Sequence, residues 1–249
     1  MNIIENMIQG SDSWHQLRQQ RFTASEAAAV FGDHKYMTRN DLLKQKKTGI
    51  TPEVSEHQQR IFDNGHKFEE MARSIAEKIT GEELYPCTCE DDTGTYLASM
   101  DGLDMLGTFG WEHKTLNESL RTATAETLDD HYKWQMDHQM MVTGCERILF
   151  MASTGTEDDC VSFWYERDED RIQRLIAGWE QFKADLDAYE PQPEKVAATG
   201  TAPDSLPALV VELTGAVRAS NLAEFKDIAL ARIASIKTEL VTDEDFATA

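Results

Sequence analysis

The sequence predicts an α/β (α+β) core. Helical patterns fill most of the first 80 residues, short strand-like runs separated by turn signals occupy 83–114, and a helix, two strands and a helix follow in turn. That order fits neither a helix bundle nor a repeat array.

Residues 13–20 read as a short helix, with Trp14 and Leu17 at i, i+3 on one face. Ser25 stands before E-A-A-A-V-F and Gly32 follows, an expected N-cap and C′ glycine. Thr38 and Gly49 bracket the next helix in the same way. From Glu56 to Ile79, the apolar positions Ile61, Phe68, Ile75 and Ile79, with Ala72 and Ala76, predict a long amphipathic helix with an interruption near Gly65. After Gly81, the runs 83–90, 95–101 and 108–114 read as an antiparallel meander, and Asp91-Asp92-Thr93-Gly94 is its clearest hairpin signal. A helix from Leu128 to Val142 ends at Gly144. Strands at 147–153 and 160–166 and a helix from Asp168 to Tyr189 complete the core. Residues 191–207 carry four of the six prolines and read as a linker. Residues 208–249 offer one strand and one helix, too little to bury a core alone. This extension is expected to dock on the main domain, pair with another chain, or begin a longer module.

With 41% hydrophobic and 28% charged residues, the composition is that of a globular protein. No apolar run approaches the roughly 18 residues of a membrane span, and the N-terminus lacks the basic start and apolar stretch of a signal peptide, so a cytoplasmic address is expected. Four scattered cysteines make no disulfide framework, and the seven histidines show no H-E-x-x-H spacing. A formal charge of −21 argues against a nucleic-acid ligand if taken as a bulk quantity. The charge is uneven, however. Residues 1–50 hold 7 basic and 5 acidic side chains, while residues 51–190 hold 12 and 31. A phosphate-bearing partner would meet the N-terminal segment first. A solvated helix face is the plainer reading of such a cluster.

The chemistry-bearing residues lie in the meander. Glu112 and Lys114 are i and i+2 on one strand and project to the same face, while His113 points away. If the preceding strand brings Asp101 beside them, two carboxylates and an ammonium converge. Two carboxylates suit Mg²⁺, which keeps most of its waters, and the backbone carbonyl of His113 is a further candidate ligand. Lys114 would orient or help deprotonate an attacking water while the metal offsets charge on a phosphate. A D-x(n)-E-x-K pattern alone is weak in a chain with 45 acidic residues.

Its context is not weak. Four blocks stand in order: W-H-Q-L-R-x-x-R-F-T-A-S-E at 14–26, N-G-H-K-F-E-E-M-A-R at 64–73, L-A-S-M-D-G-L at 97–103 with W-E-H-K-T at 111–115, and Q-M-D-H-Q-M-M-V-T-G at 135–144. Over roughly residues 10–189 this arrangement resembles the PD-(D/E)XK nuclease superfamily, and more closely its phage-type lambda exonuclease and YqaJ recombinase family. The resemblance implies a restriction-endonuclease-like core, a central mixed sheet flanked by helices, in a nuclease domain spanning 1–190. It implies Asp101, Glu112 and Lys114 as the metal-binding and catalytic trio, Glu69 as a further acidic residue near the metal, and Gln135 as an active-site glutamine. It also implies Arg18 and Ser25 as holders of a DNA 5′-phosphate. A planar guanidinium and a helix N-terminus suit an anion, although Ser25 also reads as an ordinary cap and Arg18 as a partner for a carboxylate. Glu69 and Gln135 equally fit solvated helix positions.

Two departures from the family pattern stand out. Met100 replaces the proline before the metal-binding aspartate, and the Q-x-Q helix motif reads Gln135-Met136-Asp137. Asp137 is left open as a metal-facing or a surface acid. Cys87, Cys89, Cys145 and Cys160 lack the spacing of the superfamily's iron–sulfur members and read as structural thiols.

The resemblance implies an Mg²⁺-dependent exonuclease, with Mn²⁺ as a substitute, that degrades duplex DNA from a 5′-phosphate end and leaves 3′ single-stranded tails. A homotrimeric ring, a single-strand annealing protein as partner, and action in a bacterial or phage-infected cytoplasm, away from membranes, go with it. An endonuclease on the same core and a non-catalytic acidic interaction protein are the alternatives.

Overall fold

The computed structural model describes residues 1–5, 7, 10–51 and 55–191. The expected linker and strand–helix extension lie outside the described residues, apart from Pro191. The described fold falls within the unit Met1–Gln192.

In chain order the elements are β1 (Asn2–Ile3), α1 (Asp12–Gln20), β2 (Phe22–Thr23), a 3₁₀ turn (Ala24–Glu26), α2 (Ala27–Phe31), α3 (Arg39–Thr48), α4 (Glu56–Thr80), β3 (Tyr85–Glu90), β4 (Tyr96–Leu103) and β5 (Phe109–Thr115). They continue with α5 (Asp130–Thr143), β6 (Arg147–Ser153), a 3₁₀ turn (Glu157–Asp159), β7 (Cys160–Glu166) and α6 (Glu169–Ala188). Strands β3, β4 and β5 form the expected antiparallel meander, and β5 then pairs in parallel with β6, from Phe109↔Arg147 to Thr115↔Ser153. A parallel pair needs a crossover, and α5 with its approach segment supplies it. The sheet order is β1-β3-β4-β5-β6-β7, with the two-residue β2 running parallel on β4. The result is a mixed sheet flanked by helices.

Strand alternation explains how both faces are covered. On β6, Ile148, Phe150 and Ala152 turn towards α5 and pack with Met136 and Met140. Leu149 and Met151 turn the other way, packing with Trp111 of β5 and with Ala72 and Ala76 of α4. A strand buried on both faces reads as a continuous apolar run, and R-I-L-F-M-A-S is one. A third cluster, including the short helix α2, Leu42 and Leu43 of α3, Trp134 and Trp179, seats α2 and α3 against α5 and α6.

The caps follow the sequence with two corrections. Thr38 with Asp41, and Ser55 with Gln58, form capping boxes, while Gly32, Gly49, Gly81 and Gly144 end their helices in the left-handed conformation. Ser25 is not the expected N-cap. Thr23 holds that place, its backbone N–H donating to Glu26 Oε2 at 3.1 Å, and Ser25 sits inside the 3₁₀ turn with its hydroxyl accepting from Arg18. The helix α4 is not interrupted at Gly65 but runs through it for 25 residues. Gly65 lies where α4 passes the end of β5, and a Cβ there would meet Thr115 Oγ1 at 3.7 Å. Burial of the α4 face against the sheet outweighs the roughly 1 kcal/mol that a helical glycine costs. Among the described residues, no helix is long and apolar enough to cross a membrane.

Candidate active site

Ladder pairing between β4 and β5 stops at Gly102↔Trp111. At the next position Asp101 replaces the missing ladder contact, its Oδ2 accepting from the His113 backbone N–H at 2.7 Å. This sets Asp101 opposite Glu112. As the alternation requires, Lys114 and Glu112 share a face, and Lys114 Nζ donates to Glu112 Oε1. His113 faces away, its Nε2 2.9 Å from Ser153 Oγ, and burial, with Lys114 adding, pushes its pKa down to about 4. The His113 ring is therefore neutral and outside the site.

The helix α5 supplies the next layer. Gln135 Nε2 donates to Glu112 Oε1 at 2.6 Å. One helical turn on, Gln139 Nε2 donates to Glu112 Oε2 at 2.6 Å and to Ser99 O at 3.2 Å. Gln139 escaped the sequence reading, which looked for the second glutamine at position 137. The i, i+4 spacing from Gln135 was the available signal. Asp137 turns to the opposite side of α5, where it is fully buried and accepts from Arg171 Nε at 2.8 Å and Tyr165 Oη at 2.9 Å. It is neither a metal-facing nor a surface acid.

From the other side α4 brings Glu69, paired with Arg73 at 3.3 Å. Arg73, one turn on, also donates to Asp101 O at 2.5 Å and Leu84 O at 3.2 Å, which ties α4 to the sheet at the point where the strands diverge. Burial and the nearby Glu112 raise the Glu69 pKa against the pull of Arg73. Burial, then Glu112 and Glu69, hold Asp101 well above the ordinary carboxylate range. Burial works against the charge on Lys114, but Glu112 and Asp101 outweigh it and lift its pKa to about 12. Lys114 is thus a fixed cation at neutral pH.

These groups open into a cavity of about 220 Å³ lined by Asp101, Glu112, Lys114 and Gln135 together with Trp14, Arg18, Ser25 and Ser99. Arg18 lies over the Trp14 ring at 4.4 Å and donates to Ser25 Oγ at 2.8 Å, while Trp14 Nε1 donates to Ser99 Oγ at 3.1 Å. Trp14 and Ser99 were missed by the sequence reading. Both were legible, Trp14 one turn before Arg18 and Ser99 two residues before Asp101 on the same strand face. Among the described residues, the Arg18 side chain forms no ion pair, and burial lowers its pKa with only partial relief from Glu26. A half-buried guanidinium facing a neutral hydroxyl is a place for an anion.

The donor set fits a hard divalent cation. Asp101, Glu112 and Glu69 place carboxylates together, and Gln139 Oε1 is a buried acceptor without a hydrogen-bond partner among the described residues. Among those residues, no three carboxylate, imidazole or thiol side chains are placed to hold a metal ion by themselves. The two carboxylates of Asp101 and Glu112 that line the cavity suit an ion that completes its shell with waters and substrate oxygens. The cysteines lie elsewhere, with Cys89 and Cys145 buried and Cys87 and Cys160 half-buried.

The chain matches the model of the YqaJ-like viral recombinase domain over residues 13–146, more than half its length. No curated protein matches. Among solved structures it is similar to the alkaline exonuclease LHK-Exo from Laribacter hongkongensis, with 26% identity and a TM-score of 0.59 over 72% of this chain and 93% of that one. The complex of LHK-Exo with dAMP matches at 25% identity, with the same TM-score and coverage. A phage-related exonuclease from Haemophilus somnus 129PT shares the fold at 12% identity and a TM-score of 0.51, over 70% of this chain and 98% of that one. The site therefore sits on a PD-(D/E)XK-type nuclease fold, and the chain belongs to the YqaJ-like viral recombinase domain family.

Proposed function

We propose that this nuclease is a divalent-metal-dependent 5′-to-3′ exonuclease on duplex DNA, using Mg²⁺ with Mn²⁺ as a substitute and leaving 3′ single-stranded tails. One observation carries the reading. The carboxylates with Lys114 and the Arg18–Ser25 pair line the same cavity. A scissile phosphate at the carboxylates and a terminal phosphate at Arg18 and Ser25 would then be held in one cavity, which is what cutting from a phosphorylated end requires.

The residues divide the work. Asp101, Glu112, the His113 carbonyl and Glu69 would hold the cation, which supplies charge stabilisation at the scissile phosphate when bound. Lys114, protonated at neutral pH, orients the attacking water and donates to a developing phosphoryl oxygen. Gln135 and Gln139 fix the Glu112 carboxylate. Arg18, stacked on Trp14, and Ser25 bind the 5′-phosphate. An endonuclease needs the first group and has no use for the second.

The family resemblance supports three further parts of the proposal: a trimeric ring around the DNA, a single-strand annealing protein as partner, and action in the cytoplasm of a bacterial or phage-infected cell. The deciding assay compares linear 5′-phosphorylated duplex with closed circular duplex, each with Mg²⁺ and with EDTA. Loss of the linear form only, and with metal only, is expected. Cutting of circles would instead select the endonuclease, and no reaction under any condition would select an acidic interaction protein.

A further inference from the structure

A second, larger cavity of about 980 Å³ adjoins the site, and Arg18 and Ser25 line both. Its walls are α1, the segment between α2 and α3, and the first turns of α4. Its character is different: the carboxylates and lysine of the first cavity give way to Tyr36, Met37, Ile61 and Phe62, with His15 and His34 between them. Tyr36 is 90% exposed, Ile61 53% and Phe62 50%. Apolar and aromatic surface of this kind, beside a phosphate-binding group, has a use beyond packing.

The cavity is braced rather than loose. Lys46 Nζ donates to the carbonyls of Arg18 at 2.7 Å and Arg21 at 2.6 Å and pairs with the buried Glu26 at 2.8 Å. This ties α3 to the C-terminal end of α1 and pairs the one carboxylate among the described residues that line the cavity. What remains among the described residues is a neutral to basic trough, most of whose lining comes from residues 1–50, where basic side chains outnumber acidic ones, with Thr51, Gln58, Ile61 and Phe62 closing it from the following stretch.

We propose that this trough binds the unpaired nucleotides of a 5′ single-stranded extension, with bases against Tyr36 and Phe62 and an internal phosphate of that strand taking the place at Arg18 that the terminal phosphate takes on a flush end. Paired DNA is the poorer match. A duplex turns its phosphates outward and hides its base faces in the stack, so exposed aromatic rings have nothing to meet. Unpaired bases offer a π-face whatever their sequence, which suits stacking platforms without base-specific donors. A strand that leaves the carboxylates and passes Arg18 enters the trough directly, because the two cavities share that wall. The inference rests on the exonuclease reading and extends its substrates from flush ends to ends with a 5′ overhang.

The test uses the full chain with Tyr36→Ala and Ile61→Glu combined, both at exposed positions, and Tyr36→Phe as the conservative control. In EDTA, fluorescence anisotropy of a 5′-phosphorylated thymidine hexamer should show affinity falling about tenfold in the double variant and holding in Tyr36→Phe. With Mg²⁺, the double variant should hydrolyse flush 5′-phosphorylated duplex at the parent rate and lose about tenfold on the same duplex with a four-nucleotide 5′ overhang. Equal hexamer affinity in parent and double variant overturns the proposal, as does an equal loss on both duplexes. A parent inert on flush duplex would sink the exonuclease reading instead, and the hexamer measurement would then decide on the trough alone.

Discussion

Gln139 and Glu112 are joined by a hydrogen bond of 2.6 Å, Nε2 donating to Oε2. With Gln135 Nε2 and Lys114 Nζ on Oε1, both carboxylate oxygens are fixed, and Glu112 is only 2% exposed. Glu112 is therefore preorganised by a helix that the chain reaches 23 to 27 residues later. That arrangement makes the first prediction.

Gln139→Ala should leave the fold intact and lower the rate of duplex hydrolysis about 10- to 100-fold. Hydrogen bonds to charged groups contribute about 1.5–3 kcal/mol, and each 1.4 kcal/mol or so of barrier is a factor of ten. Initial rates, with circular dichroism to verify folding, check this. An undiminished rate would leave Gln139 a packing residue only.

Lys114→Ala should retain DNA binding and lose hydrolysis. Because the Lys114 pKa is lifted to about 12, the parent rate should show no loss attributable to its deprotonation between about pH 7 and pH 10. Filter binding in EDTA and hydrolysis in Mg²⁺, measured side by side, separate the two effects.

Asp101 makes a pH-dependent stability prediction. Its folded-state pKa is raised by burial, with Glu112 and Glu69 adding. A carboxyl raised on folding favours the folded state below its unfolded pKa of about 3.9, and that stability is lost as pH rises through the folded value. A bound divalent cation reverses the penalty. Tm should therefore rise on adding Mg²⁺ by more at about pH 8 than at about pH 5. Asp101→Asn should raise the cation-free Tm at the higher pH and remove most of the Mg²⁺ increment. A Tm indifferent to Mg²⁺ at both pH values would exclude Asp101 as a ligand.

Arg18→Ala should abolish the preference for 5′-phosphorylated over 5′-hydroxyl ends, and Arg18→Lys should not restore it. An ammonium keeps the charge but neither the planar stack on Trp14 nor the two-pronged donor. Competition between the two substrates reads this out, and unchanged discrimination would remove Arg18 from the role.

Asp137→Ala should destabilise the protein by about 3 kcal/mol or more, since it strips a buried carboxylate from Arg171 and Tyr165. The rate per folded molecule should stay near that of the parent. Urea unfolding and active-site titration distinguish this from a catalytic loss.

The sequence by itself determined the local facts. Serine and threonine caps, left-handed glycines and apolar periods placed most helix ends within a residue or two. Strand alternation put Glu112 and Lys114 on one face and His113 on the other, because a period of two is a property of the backbone. The ordered motifs sufficed for the family. Only the tertiary structure decided what depends on partners distant in the chain. It brought Asp101 against His113 N–H where the β4–β5 ladder ends, paired β5 with β6 in parallel, and carried α4 through Gly65. It also sent Asp137 into a buried ion pair and Gln139 to the active carboxylate, from positions two residues apart on one helix. Such roles follow from which surfaces pack together. A helix presents every face in its sequence, and the neighbours it meets on folding decide what each face does.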